Sequence, residues 1–302
     1  MTRFGTGVDA SVSHMGSNFS FSSGFIAGSI MTVNEHEIYP NAPIVWMAVE
    51  IRHPACEPLN QTQVLQLSKQ VQEILPLPGQ ASTVSIEIQG DADGSVAQRQ
   101  TSVTFPRWTS RDKRTALSVK PDSLQIETTD YRCYERVREL LSTALCGRID
   151  VAVPAGVERI GLRYVDEIRV PPENGNSRPE WQEWIDPTLV GPVQVGLDCG
   201  LTPEGNDGVV VFSGVDGQAL AVRYGAQVDY AVQSTDLLRR PLPPPGPLFR
   251  LDIDSYWQPS DEVPEFDRDR ILDLADALHK PVREVFERLI TSRLREEVLR
   301  NA

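Results

Sequence analysis

Two aspartates near the C-terminus have the spacing best suited to chemistry. Asp252 and Asp254 lie in a segment in which apolar Leu251 and Ile253 alternate with polar residues. This alternation predicts a strand, on which residues two apart point to the same side with Cα atoms about 6.5–7 Å apart. Two carboxylates so placed can bind a metal, or divide the roles of general acid and general base. The alternative is a solvated strand face, or carboxylates that pair with arginines.

A second polar pair lies in the segment from Arg159 to Pro171, which also alternates and predicts one long strand. Arg159 and Arg163 are four residues apart and therefore share a face of that strand. They can hold a carboxylate or phosphate group, or they can pair with Asp252 and Asp254 if the two strands are neighbours. The internal pairing is the favoured interpretation, because the charges are opposite and charges removed from water need partners.

His279 is the remaining candidate residue. It lies just before Pro281, in a C-terminal segment whose apolar residues recur at spacings of three and four. Because Pro281 lacks an N–H donor, we expect a kink or a break of the helix at His279-Lys280. Without an acid or base partner in view, His279 is expected to be a structural residue at a helix end rather than a catalytic one.

The first half of the chain is predicted to be a sheet backed by helices. Residues 44–51 form a nearly continuous apolar run, which is typical of a central strand. A helix follows, with Asn60 as N-cap and Gln63 completing a capping box. Four short strands then form an antiparallel meander. Asp130 is expected to cap a second helix that ends at Gly147.

The second half is predicted to be another antiparallel sheet, followed by the C-terminal helix. Residues 193–199 and 228–232 alternate as strands do, and Asp216-Gly217 indicates a hairpin. The apolar stripe of the helix runs from Ile271 to Leu289. The charged residues assigned to its outward side are Glu284, Glu287, Arg288, Arg293, Arg295, Glu296 and Arg300.

These elements predict an α+β fold with two antiparallel-sheet halves, each backed by helices, and a long kinked C-terminal helix. Residues 1–35 are rich in Ser, Gly and Phe without a period and are expected to be a disordered extension. The first half then spans residues 36–172 and the second half residues 173–302. Turn-forming residues between 171 and 192 mark the join.

Composition excludes several classes of function. The 302-residue chain has 42 acidic and 29 basic residues and a net charge of −13, so we expect no nucleic-acid partner, which would need clustered positive charge. No apolar run is long enough to span a membrane. The four cysteines form no Cys-x-x-Cys pair and the histidines are scattered, so no metal site is expected. Phosphate-loop, dinucleotide and serine-hydrolase motifs are absent, and no cofactor is expected.

Short motifs spread along residues 41–291 resemble a sporadically distributed, uncharacterised family of prokaryotic proteins. The matching pieces are Asn41–Val45, Val49–Arg52, Arg159–Tyr164, Leu251–Asp254 and Leu278–Thr291. Trp46 and Asp166 depart from the family pattern, which has an acidic residue and an asparagine at these positions. The resemblance implies a bacterial protein and brings no catalytic residues. The patchy distribution is typical of mobile or conflict-associated genes.

Two classes of function remain open. The absence of catalytic motifs and the charged C-terminal helix favour a non-catalytic protein-binding or adaptor module of the cytoplasm, with a protein partner. The alternative is a metal-dependent or acid/base hydrolase that uses Asp252 and Asp254. The two classes differ in whether these carboxylates face an open cleft or an arginine across a strand. The oligomeric state is not predicted by any feature of the sequence.

Overall fold

A computed structural model describes residues 38–90, 96–172 and 179–301, with only the backbone described for residues 85–90 and 96–100. Within these ranges the chain forms nine strands and five helices. The strands are β1 (Ile44–Arg52), β2 (Leu77–Gly90), β3 (Val96–Thr109), β4 (Thr115–Val119), β5 (Ser123–Thr128), β6 (Arg159–Ile168), β7 (Asn206–Ser213), β8 (Gln218–Val228) and β9 (Pro247–Trp257). The helices are α1 (Gln61–Val71), α2 (Tyr134–Ala152), α3 (Gly191–Asp198), α4 (Arg268–Leu289) and α5 (Ser292–Leu294).

All nine strands belong to one antiparallel sheet with the order β2-β3-β4-β5-β1-β6-β9-β8-β7. The predicted α+β class with antiparallel pairing is therefore confirmed, and β1 is the middle strand, as its apolar run predicts. Because β6 pairs directly with β9, strands from both predicted halves lie in one sheet. The described residues after position 37 form one compact unit. The predicted extension of residues 1–35 lies outside the described residues.

One face of the sheet is covered by α1, α2 and α4, and we call it the helix face. Its apolar side chains include Met47, Ile51 and Leu162, which are fully buried against residues of these helices. Gly147 lies inside α2, where a Cβ atom would come 2.3 Å from the Leu67 side chain of α1. The prediction that α2 ends at Gly147 is wrong, since this glycine serves the close approach of two helices.

The two predicted helix caps have opposite outcomes. The Asn60 side chain accepts a hydrogen bond from the Gln63 N–H at 3.1 Å, and the Gln63 side chain accepts one from the Asn60 N–H at 2.9 Å. The predicted capping box of α1 is thus confirmed. Asp130 does not cap α2, because that helix begins only after Cys133. The Asp130 carboxylate instead pairs with Arg114 and Arg132, each at 3.0 Å.

The predicted strand at residues 193–199 is wrong, because these residues lie in α3 and its C-cap. Pro192 is in the first turn of α3, where a missing N–H and a fixed φ suit a helix start. The predicted strand at 228–232 is also wrong, since β8 ends at Val228 and Asp229 has a φ of 80°. Both alternations belong to short segments that bury few apolar side chains.

The C-terminal helix differs from prediction in two ways. First, α4 continues from Arg268 to Leu289 through Pro281, so the expected break is wrong, while a kink at His279-Lys280 stays a prediction. Second, Glu287 and Arg295 do not point outward, so that part of the prediction is wrong. The Glu287 carboxylate is buried, accepts a hydrogen bond from the Tyr39 hydroxyl at 2.9 Å, and pairs with Arg295 at 3.1 Å. The chain turns after Leu289, so the face of α4 does not continue into residues 290–300.

None of the helices in the described ranges combines the length and apolar composition that crossing a membrane requires.

Candidate functional site

The predicted acidic and basic pairs meet on the sheet face opposite the helices, which we call the open face. Strands β6 and β9 are neighbours, with Arg163 opposite Asp254 in the register. Arg163 donates from Nε and Nη2 to the two carboxylate oxygens of Asp252, at 2.7 and 2.6 Å. Arg159 donates from Nη2 to Asp254 at 3.2 Å. The predicted internal pairing of these four residues is confirmed.

The environment of these pairs is that of a structural ion pair. The Asp252 side chain is only 3% exposed, whereas that of Arg163 is 44% exposed. The hydrogen bond to Asp252 raises the pKa of Arg163 despite partial burial. Burial also raises the pKa of Asp254, an effect that Arg159 opposes. Each carboxylate meets an arginine across the strand, which is the arrangement expected if the pair is structural.

Both arginines also lie over aromatic rings. The Arg159 guanidinium lies 4.8 Å from the centre of the Tyr256 ring, and that of Arg163 lies 5.8 Å from the Trp46 ring. Cation–π contacts of this kind add attraction and fix the guanidinium planes. Arg159 also pairs with Glu50 at 3.3 Å. Among the described residues, no group of three or more His, Cys, Asp or Glu side chains is arranged to hold a metal.

His279 lies on the other side of the sheet from the ion pairs, inside α4. Its Nδ1 is 2.9 Å from the Tyr164 hydroxyl, and its ring stacks on Tyr134 with centroids 4.0 Å apart. Burial lowers the pKa of His279 to about 4, so its ring is neutral at pH 7. The expected position at a helix break is wrong, because α4 is continuous at this residue. The structural role of His279 stays a prediction.

Asp166 is a buried aspartate that is not among the candidate site residues predicted from the sequence. It lies in β6 next to Val165, is almost fully buried, and its Oδ1 has no hydrogen-bond partner among the described residues. Burial, with a smaller effect of the Asp252 charge, raises the pKa of Asp166 to about 8. A neutral carboxylic acid therefore predominates there at pH 7. The signal in the sequence is its position, two residues after core residue Tyr164 on the same predicted strand face.

The edge strand β7 is a second feature that the sequence did not reveal. It pairs with β8 on one side, and none of the other described strands lies on its other side. The run Val209–Phe212 is apolar, and its side chains are between 40% and 61% exposed. An edge strand offers unpaired N–H and C=O groups, and proteins usually protect such edges with charges, prolines or bulges. The run Val209–Phe212 carries no charge or proline.

An apolar groove lies beside β7 on the helix face, where the strand approaches the C-terminal end of α4. Its volume is about 210 Å³. The side chains that line it are Leu189, Val210, Phe212, Val222, Tyr224, Val285, Arg288 and Leu289. Arg288 is exposed and makes no hydrogen bond or ion pair with the part of the chain that the structure describes. The edge and the groove together form one surface that can accept an extended apolar chain with a carboxylate.

Comparison with models of known protein families and with curated protein sequences gives no match for this chain.

Proposed function

We propose that this protein is a non-catalytic protein-binding module, and that it binds an extended segment of a partner protein as an additional strand along β7. The observation that carries this proposal is the uncharged, exposed run Val209–Phe212 on an edge strand. Exposed contiguous apolar surface commonly marks an interaction site. The cytoplasmic and conflict-associated setting remains a prediction from the sequence.

The chemistry of the partner segment follows from the two parts of the surface. The free main-chain groups of β7 supply hydrogen bonds to any extended backbone, which gives affinity without sequence preference. Specificity comes from alternate side chains of the partner, which enter the groove beside Val210 and Phe212. Arg288 at the groove favours a carboxylate close to the apolar side chain. The expected partner is therefore an extended apolar segment with an acidic residue.

The proposal can be tested with the full chain and a library of displayed random peptides. We expect enrichment of peptides with apolar residues at alternate positions and an acidic residue. Binding of a selected peptide should slow amide hydrogen exchange in β7. Phe212→Lys should weaken binding strongly, because it removes the aromatic side chain from the wall of the apolar groove. Val84→Lys, at an exposed position of β2 on the opposite edge of the sheet, is the matched control and should leave binding unchanged.

Two outcomes would overturn the proposal. If selected peptides bind Phe212→Lys as well as they bind the wild type, the site is elsewhere. If sedimentation shows a wild-type dimer that Phe212→Lys dissociates, the occupant of β7 is a second copy of this chain. A hydrolase would require Asp252 and Asp254 to act while paired with arginines, and no feature of the open face favours that alternative.

A further inference from the structure

Arg148 is a buried cation for which no carboxylate partner is found in the described part of the chain. It lies in α2 and is 1% exposed. Its Nη2 donates to the Cys56 sulfur at 3.0 Å, while Nε and Nη1 have no hydrogen-bond partner among the described residues. Removing a charge from water is costly unless an opposite charge or several hydrogen bonds compensate it. Arg148 therefore requires a compensating group.

The Cys56 side chain contacts Arg148 but is not a carboxylate. Its sulfur lies 3.2 Å from the Pro121 carbonyl oxygen, which can only accept, so the thiol proton is donated to that oxygen. The Cys56 backbone N–H donates to the same oxygen at 2.9 Å, which fixes the loop. The sulfur accepts one hydrogen bond from Arg148, which leaves Nε and Nη1 without a partner among the described residues.

His53 does not supply a counter-charge either. It is fully buried, and its Nδ1 lies 3.0 Å from the Pro54 carbonyl oxygen, so Nδ1 carries the proton. Its Nε2 has no partner among the described residues. Burial lowers the pKa of His53 and the Arg148 charge lowers it further, although Asp122 and Glu158 oppose this. Neither side chain therefore brings a carboxylate to the Arg148 guanidinium.

Arg148 also lines a small pocket that reaches the surface. The pocket volume is about 10 Å³, which is room for one water-sized group. Its walls include Pro58, Phe105 and Pro106. Lys120 contributes a second cation, held over the Phe105 ring at 5.5 Å and hydrogen-bonded to Gln125 at 3.0 Å. The one acid on the pocket wall, Glu57, is exposed and forms no ion pair with Arg148 among the described residues.

We propose that this pocket binds a small monovalent anion of the halide class, held by Arg148 with Lys120 close by. Positive charge, free N–H donors and the absence of a described carboxylate partner select for an anion. The pocket volume selects against phosphate and sulfate, which are larger than a single water-sized group. The bound ion completes the charge balance of a buried arginine that joins α2 to the loop at Cys56.

Chloride is the probe for the test, with the full chain in a zwitterionic buffer free of other halides and of carboxylates. Protein should broaden the chloride NMR signal in a saturable way, and bromide should compete. Arg148→Met keeps the aliphatic stem and removes the charge, and it should eliminate the excess line width. Arg52→Met, at an exposed arginine of the open face, is the matched control and should retain it.

Three results would overturn the proposal. Wild-type protein that gives no saturable broadening has no site. Broadening that survives in Arg148→Met belongs to another site, and broadening that never saturates indicates an adventitious ion only. If Arg148→Met fails to fold, Lys120→Met is the second variant. It should bind both halides more weakly, so that chloride broadening saturates at a higher concentration. Anomalous scattering from a bromide-soaked crystal would then have to show the ion beside Arg148.

Discussion

Strands β9 and β7 belong to the same sheet and are separated only by β8, yet their side chains are arranged in opposite ways. β9 is an interior strand of the sheet, and its aspartates are paired with arginines and largely buried. β7 carries valines and a phenylalanine at the edge, and these are exposed. The charges of β9 are therefore part of the folded structure, whereas the apolar surface of β7 is the basis of the proposed binding site.

The difference has a simple physical cause. β9 has a hydrogen-bonded neighbour on each side and α4 on its helix face, so its polar groups must find partners within the protein. β7 has one neighbour among the described strands, so the main-chain groups on its other side are open to solvent or to a partner. Substitutions in β9 should consequently affect stability, and substitutions in β7 should affect binding.

The largest expected effect compares one apolar residue from each strand. Ile253 of β9 is fully buried, so Ile253→Ala should lower the free energy of unfolding by about 2–5 kcal/mol. Val211 of β7 is mostly exposed, so Val211→Ala should change it by less than about 0.5 kcal/mol. Urea denaturation of both variants measures the difference. Equal losses would show that β7 is buried in solution, for example by a second copy of the chain.

Two arginines near the end of α4 extend the comparison. Arg295 pairs with buried Glu287, so Arg295→Glu places two carboxylates together and should cost about 2 kcal/mol or more. Arg288 is exposed at the groove, so Arg288→Glu should change stability by less than about 0.5 kcal/mol while weakening the selected acidic peptides. Thermal melts and peptide titrations separate the two roles. A stable Arg295→Glu variant would contradict the buried network around Tyr39.

Asp166 makes the stability of the centre of the sheet dependent on pH. Its pKa is raised from 3.8 to about 8, so the folded state favours the neutral acid. The contribution of the neutral acid is complete below about pH 4, declines as pH rises toward 8, and is lost above that. Asp166→Asn cannot ionise and should therefore be more stable than the wild type by about 1 kcal/mol or more at high pH.

The matched measurement for Asp166 is a series of urea denaturations between acidic and alkaline buffer. The stability gap between Asp166→Asn and the wild type should widen as pH rises from 3.8 toward about 8, and it should stay constant above that. His279 acts at the other end of the range, because its lowered pKa of about 4 destabilises the folded state as pH falls below its usual 6.5. That effect is common to both proteins and cancels in the comparison. A gap that is constant with pH would show that Asp166 is ionised in the folded state.

Local features and one long-range match of opposite charges were predictable from the sequence. The order of the strands was not. The capping box at Asn60 and Gln63 needs only local spacing, and the pairing of Arg163 with Asp252 follows from opposite charges on two matching strands. The edge position of β7 is set by the complete strand order, which the residues Val209–Phe212 do not determine by themselves. The pairing of Arg295 with Glu287 likewise depends on the turn after Leu289, which the spacing of the residues does not predict.

The smallest expected effect concerns the ion pair itself. Arg163 and Asp252 share two short hydrogen bonds, but water reaches the 44%-exposed arginine and screens the attraction. A double-mutant cycle of Arg163→Ala and Asp252→Ala should therefore give a coupling of about 0.5–1 kcal/mol. The control cycle combines Arg163→Ala with Asp276→Ala, whose carboxylate pairs with Arg138 beyond the helix face, and should be additive. Neither cycle should alter peptide binding at β7. A coupling near zero would mean that the ion pair itself adds nothing to stability. A loss of peptide binding would show that the interaction surface is the open face and not the edge.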